Sequence, residues 1–156
     1  MKQNEERMLA LVSQLAEVKS EQNILAALSI YHEDIELISP SFQSSAKGSV
    51  EVQKQLEIFF SLFPDYSVAL EQYAVNKQLM LATGQVSLSA NIPGKKCPTI
   101  TLPVFIEFHF QADRIIKEVF YLDAGLICEK SGITPEDLQQ ASSKFIAWKK
   151  QVPTYA

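Results

Sequence analysis

Between Phe105 and Asp123 the chain sets Glu107, His109, Lys117, Tyr121 and Asp123 among aromatic and aliphatic residues. Carboxylates beside an imidazole and a phenol in apolar surroundings are acid/base groups. Burial disfavours the charged carboxylate and moves its pKa toward neutrality, where a general acid or base works best. The chemistry such a group offers is proton abstraction next to a carbonyl, or proton donation to a developing alkoxide, worth roughly 10²–10⁴ in rate. Asp123 is the foremost candidate, because it ends the apolar run Val119, Phe120, Tyr121, Leu122. A second reading competes with it. An aspartate readily accepts hydrogen bonds from backbone N–H groups just ahead of it, and so caps a turn.

Which of these side chains meet depends on the hairpin around "QADR" (111–114). A strict two-residue turn would bring Glu107 opposite Glu118, and like charges directly opposite are unfavourable. A three-residue loop with Asp113 in the left-handed region pairs Phe110 with Arg114 and brings Glu107 opposite Lys117, an attraction of roughly 0.2–1 kcal/mol. In that register Phe105, Glu107, His109, Lys117, Val119, Tyr121 and Asp123 share one face. The other face carries Val104, Ile106, Phe108, Phe110, Ile116, Phe120 and Leu122, with Glu118 its exception. An apolar pocket with a few convergent polar groups is the usual small-molecule site, so the cavity is expected on the Asp123 face. His109 would orient Asp123 or polarise a substrate oxygen. Tyr121, Phe105, Glu107 and Val119 would line the cavity, and Tyr31 would donate a hydrogen bond into it. Glu107 also suits pairing with Lys117, the tyrosines suit core positions with one wet end, and His32 suits the C-terminus of a helix.

The elements that must position these groups are legible from period and punctuation. Met8, Leu11, Val12, Leu15 and Val18 recur at helical spacing. Ser20 is placed to cap a second helix over 21–31, with Ile24, Leu25, Leu28 and Tyr31 on its apolar face. "DIELIS" (34–39) reads as a short strand ended by Pro40, and "SSAKGS" (44–49) as a turn. Ser49 then caps a third helix whose stripe is Val52, Leu56, Phe59, Phe60 and Phe63, closed by Pro64. After Pro64 the period changes to strands. Residues 66–75 and 78–90 form a hairpin about Asn76-Lys77, 91–98 a loop, and 99–110 and 114–123 a second hairpin. Thr134 as N-cap, Pro135 at the first helical position and Asp137 in the first turn announce a closing helix over about 134–150. Helices at one end and a meander at the other give an α+β domain. Both faces of the last hairpin are apolar, so both should be covered, the second most simply in a homodimer through the sheet.

A chain of 156 residues suits one domain, 1–156, with a substantial core. A net charge of −4 offers no footprint for nucleic acid or an anionic membrane surface. No apolar run approaches the roughly 20 residues of a membrane span, and the early charges in "MKQNEERMLALVSQLAEVK" do not suit a signal peptide. The expected setting is cytoplasmic, with Cys97 and Cys128 as reduced thiols. Two histidines and two cysteines without ligand spacing imply no metal, and five glycines without a phosphate loop imply no nucleotide cofactor.

Three segments, in order and spacing, resemble the SnoaL-like polyketide cyclase family of the nuclear-transport-factor-2-like superfamily: "YHEDIELISP", Phe63-Pro64-Asp65 within "FFSLFPDYSV", and "ADRIIKEVFYLDAGLICEKSGI". The resemblance covers about 5–132 and leaves the helix after Thr134 as an addition. It implies a strongly curved antiparallel sheet wrapped around the N-terminal helices, a cone with an apolar cavity, usually in a dimer. It further implies cofactor-independent acid/base chemistry on a small hydrophobic carbonyl compound, such as an aldol-type cyclisation, with Asp123 at the place of the family's acid/base carboxylate and His109 beside it. Departures are Val119, where many members carry Trp, and Asp113, where many carry Gly. Two alternatives stay open. The cavity could hold a ligand without turnover, or be filled by the chain's own aromatics, Phe59, Phe60, Phe63, Phe105 and Phe108 among them.

Overall fold

The computed structural model describes residues 2–151; Met1 and 152–156, which complete the expected 1–156 domain, lie outside the described residues. Met8, Leu11, Val12 and Leu15 bury the inner stripe of α1 (Lys2–Ser20). α2 (Ile24–Ile30) starts later than the sequence suggests, because Asn23 takes the cap: its side chain accepts the Ala26 N–H at 3.1 Å. Ser20 instead ties α1 to the sheet, donating to the Ala16 carbonyl at 2.8 Å and accepting the Val68 N–H at 3.0 Å.

β1 (Tyr31–Ser39) takes Tyr31 out of the expected second helix, and His32 from the expected helix C-terminus, into a strand. A 3-10 turn (Pro40–Phe42) follows, and 44–47, expected as a turn, is a strand, β2 (Ser44–Lys47), antiparallel to β1. α3 (Gly48–Leu62) begins one residue before Ser49, with the Lys47 N–H donating to Glu51 Oε1 at 3.0 Å. Then come β3 (Ser67–Asn76), β4 (Leu79–Leu88), β5 (Ile100–Gln111) and β6 (Arg114–Tyr121). The expected closing strand stops at Tyr121. α4 (Ala124–Ser131), absent from the sequence reading, starts after Asp123 and ends at Gly132, whose φ of 77° is the left-handed C-terminal conformation that glycine adopts freely. α5 (Pro135–Gln151) carries a reciprocal cap: the Asp137 N–H donates to Thr134 Oγ1 at 3.2 Å and the Thr134 N–H to Asp137 Oδ2 at 3.0 Å.

The six strands form one curved, open sheet in the order β2-β1-β6-β5-β4-β3. It is mixed, not antiparallel throughout, because β1 runs parallel to β6. Bending at the β3–β4 end is built in at Gly84. A Cβ there would collide with the Ala69 carbonyl, next to the point where β3 carries an extra residue between Leu70 and Gln72. The concave face holds Met80, Ala82, Val86, Leu102, Val104, Ile106, Phe108 and Phe120 against α1 and α3. α5 closes this side by packing on α3 and on the Pro40–Phe42 turn, with Ser142 Oγ donating to the Phe42 carbonyl.

The last hairpin departs from the expected register. Ala112 and Asp113 both have positive φ, 52° and 57°, so the turn has two residues and Gln111 pairs with Arg114. The clash of glutamates that this turn would impose is removed by a bulge. After Phe110↔Ile115 the pairing jumps to His109↔Lys117, which places Glu107 opposite Val119 and Phe105 opposite Tyr121. Ile115 therefore faces the core in place of Ile116. Glu118 lies on the concave side, opposite Phe108.

Candidate functional site

The residues singled out for chemistry divide between the two faces of the sheet. On the convex face Tyr121 and Phe105 lie side by side with ring centroids 5.5 Å apart and the rings tilted by 47°, both more than one-third exposed. The Tyr121 hydroxyl donates to Glu107 Oε2 at 3.3 Å, and Glu107 Oε1 lies 3.9 Å from His109 Nε2. Val119 is buried between these chains. Asp123 shares a shallow open hollow with Phe105, Tyr121 and Glu71. Its carboxylate is exposed and caps α4, accepting the Leu126 N–H at 3.0 Å. The capping alternative thus describes Asp123's contacts, and His109 is two register steps beyond Phe105, not beside it.

A half-open, aromatic-walled cavity lies on the other face, a correction to the expected placement. Its physical reason is that α1, α3 and α5 cover the apolar face, and Glu118 is the one carboxylate on that face. Glu118 is 1% exposed. Lys19 Nζ, from the end of α1, reaches both carboxylate oxygens at 3.0 Å, and the Tyr31 hydroxyl donates to Oε1 at 2.5 Å. Lys19 Nζ also stands 5.5 Å from the centre of the Tyr31 ring. Burial, and then the Glu118 charge and hydrogen bond, hold the Tyr31 phenol well above the ordinary tyrosine range. Burial, then the same carboxylate, push the Tyr66 phenol up as well. Of the seven residues predicted for the site, Tyr31 alone stands with this group.

Around the triad the walls are aromatic. Phe59 on α3 is the hub, with ring centroids 5.2 Å from Phe63, 5.2 Å from Tyr66, 5.6 Å from Phe60 and 5.9 Å from both Phe42 and Phe120. Leu37, Leu56 and, from α5, Ala141, Ser142 and Phe145 complete the lining. The open volume is about 60 Å³, enough for a few waters and well below the roughly 300–1,000 Å³ of a site for a drug-sized molecule. The aromatics fill most of the cone. Among the described residues no cluster of three or more His, Cys, Asp or Glu could hold a metal. Cys97 and Cys128 are unpaired, and burial, then Asp137 and Glu136, push the Cys128 thiol up, away from the reactive thiolate.

Glu118, Lys19, Tyr66, Gln55, Ser39, Ser44 and Ser142 are the polar groups of this cavity that the reading by faces did not select. The signal for Glu118 was present, as the lone carboxylate on an apolar face. Nothing local signals Lys19, which is 99 residues from its partner.

No protein-family model matches the sequence, and no curated protein matches it. Solved structures do. A nuclear-transport-factor-2-like protein of unknown function from Burkholderia pseudomallei superposes with a TM-score of 0.71 at 13% identity, over 81% of this chain and 98% of that one. A protein assigned as a SnoaL-like polyketide cyclase, from Jannaschia sp., gives 0.70 at 13% identity, over 83% and 94%. AclR, assigned as a hydroxylase, from Streptomyces galilaeus, gives 0.64 at 16% identity, over 94% and 95%. These likenesses establish the fold alone: an α+β cone with a curved, open sheet, as in those structures. No helix among the described residues is long and apolar enough to cross a membrane.

Proposed function

We propose that the chain takes a small hydrophobic carbonyl compound into its concave cavity and performs cofactor-independent acid/base chemistry there, with Glu118 as the reacting carboxylate. One observation carries this reading: a buried glutamate, bonded to Lys19 and Tyr31, faces an aromatic-walled cavity. A carboxylate in such a place carries a large desolvation cost, and an apolar cavity with a few convergent polar groups is the usual small-molecule site. Glu118 would take a proton from the carbon beside the carbonyl. Lys19 and Tyr31 would hold the carboxylate in position, and a cation and a phenol near the enolate oxygen would steady its charge. The SnoaL-like assignment of a structural neighbour supports the reaction class. The small volume means that ligand entry requires Phe59 or α5 to shift.

A second reading rests on the same geometry. Lys19 and Tyr31 occupy both oxygens of Glu118, which favours a cavity that holds a ligand without turning it over. Hydrogen–deuterium exchange at the α-carbon of acetophenone, followed by proton NMR in heavy water, separates the two. Catalysis gives exchange that the protein accelerates and Glu118→Gln abolishes. Binding without acceleration selects the second reading, and neither binding nor exchange removes both.

The convex face fits a homodimer. Phe105 and Tyr121 stand exposed on the outside of the sheet, and pairing would cover them. A second subunit would also wall the hollow at Asp123, the arrangement in which Asp123 and His109 would gain a role in binding or proton transfer. Sedimentation of Tyr121→Lys against the parent checks the pairing: the parent is expected as a dimer and the variant as a monomer.

A further inference from the structure

Gln55 on α3 is 7% exposed and lines the concave cavity. Its Nε2 donates to Ser44 Oγ at 2.6 Å. Its Oε1 is buried with no hydrogen-bond partner among the described residues. A buried amide carbonyl left unpaired is costly, and native folds rarely leave one. Its neighbours on the cavity wall, Leu56, Phe59 and Phe60, have no polar side-chain atom to offer.

We infer that Gln55 is the specificity-determining residue of the cavity and that it selects a compact ring compound bearing a hydroxyl group. The inference rests on the proposed cavity site and adds to it the chemistry of the ligand's other end. A hydroxyl satisfies the amide in either of its two orientations, because it both donates and accepts. With the amide as placed, it donates to Oε1. With O and N exchanged, Ser44 Oγ donates to Oε1 instead and the ligand hydroxyl accepts from Nε2. A methyl group of the same size satisfies neither. The aromatic walls supply the rest of the recognition, since Phe59 meets its neighbours edge to face and a planar ring packs into such a cluster in the same manner.

Phenol and toluene, which differ by hydroxyl against methyl, are the probes, titrated into the parent and into Gln55→Leu by calorimetry. The wild-type preference for phenol relative to toluene should fall by roughly five- to tenfold in Gln55→Leu, the size of one lost hydrogen bond, while toluene still binds. That retained binding also shows that the variant is folded. A ratio unchanged by Gln55→Leu overturns the inference. So does a wild-type protein that binds toluene and rejects phenol, an outcome that leaves the apolar ligand site standing. If neither ring binds the wild type, the proposed function falls together with the inference. Should Gln55→Leu not fold, the wild-type side-chain amide resonances of Gln55 decide: phenol must move them more than toluene does, and equal movement contradicts the assignment.

Discussion

The sheet carries a tyrosine–glutamate pair on each face, and the two pairs differ in almost everything but residue type. Inside, Tyr31 and Glu118 meet at 2.5 Å with Lys19 completing the set, and all three are buried. Outside, Tyr121 and Glu107 meet at 3.3 Å in the open, with His109 3.9 Å from the carboxylate. Burial is the first cause that raises the phenol in both pairs, but it holds Tyr31 well above the ordinary range and lifts Tyr121 less. The same functional groups are therefore a committed, expensive arrangement on one face and an ordinary solvated surface on the other. A low dielectric strengthens a complete polar network and punishes an incomplete one. Water levels the difference.

The largest test of that contrast removes the cation. Lys19→Met leaves Glu118 charged and buried with only a phenol for company, and should cost about 3–5 kcal/mol in denaturant unfolding. Glu107→Gln on the convex face should change stability by less than about 1 kcal/mol. Equal losses would erase the distinction between the faces. Next, Tyr31→Phe deletes a hydrogen bond to a charged acceptor and should cost about 1.5–3 kcal/mol, whereas Tyr121→Phe should leave the melting temperature unchanged.

The pH dependence sharpens the comparison further. Tyr31 and Tyr66 have folded-state pKa values raised above the ordinary 10.0. A raised group gives its full stabilisation below its unfolded pKa and loses it as pH climbs above that value. Stability should therefore fall from pH 10 upward by about 1.4 kcal/mol per pH unit for each of the two tyrosines, and Tyr31→Phe should halve that slope. The smallest effect belongs to the latch between the 91–98 loop and α5. A hydrogen bond from Lys95 at 2.7 Å, then the Thr134 backbone, hold the Asp137 carboxyl below its ordinary value. A depressed carboxyl stabilises above its unfolded pKa and loses that contribution as pH falls through the folded one. Asp137→Asn should melt slightly below the parent at neutral pH and level with it in acid.

The contrast was half visible in the sequence. Alternation of Val104, Ile106, Phe108 and Phe110 against Phe105, Glu107 and His109 sorts the two faces of β5 correctly, because a strand's side chains alternate without reference to the rest of the fold. Helical spacing does the same for α1 and α3. What alternation does not contain is which face the helices cover, and that choice decides where the cavity is. The bulge at Ile116 was also out of reach. It depends on a turn whose two residues, Ala112 and Asp113, are both left-handed, a conformation that alanine gives no reason to expect. Asp123 illustrates the remaining ambiguity. The carboxylate at the end of an apolar run was open to a catalytic and a capping reading, and only the missed helix α4 shows what it bonds to. Lys19 and Glu118 lie 99 residues apart, and their pairing is a product of tertiary structure alone.

The placement of the ligand inside the cone is the central claim, and methyl-resolved NMR tests it most directly. Acetophenone added to protein labelled at leucine and valine methyls should shift Leu37, Leu56 and Leu62, which wall the concave cavity, and leave Val119 on the convex face unmoved. Shifts centred on Val119, with the three leucines silent, would contradict the account and return the site to the Asp123 face.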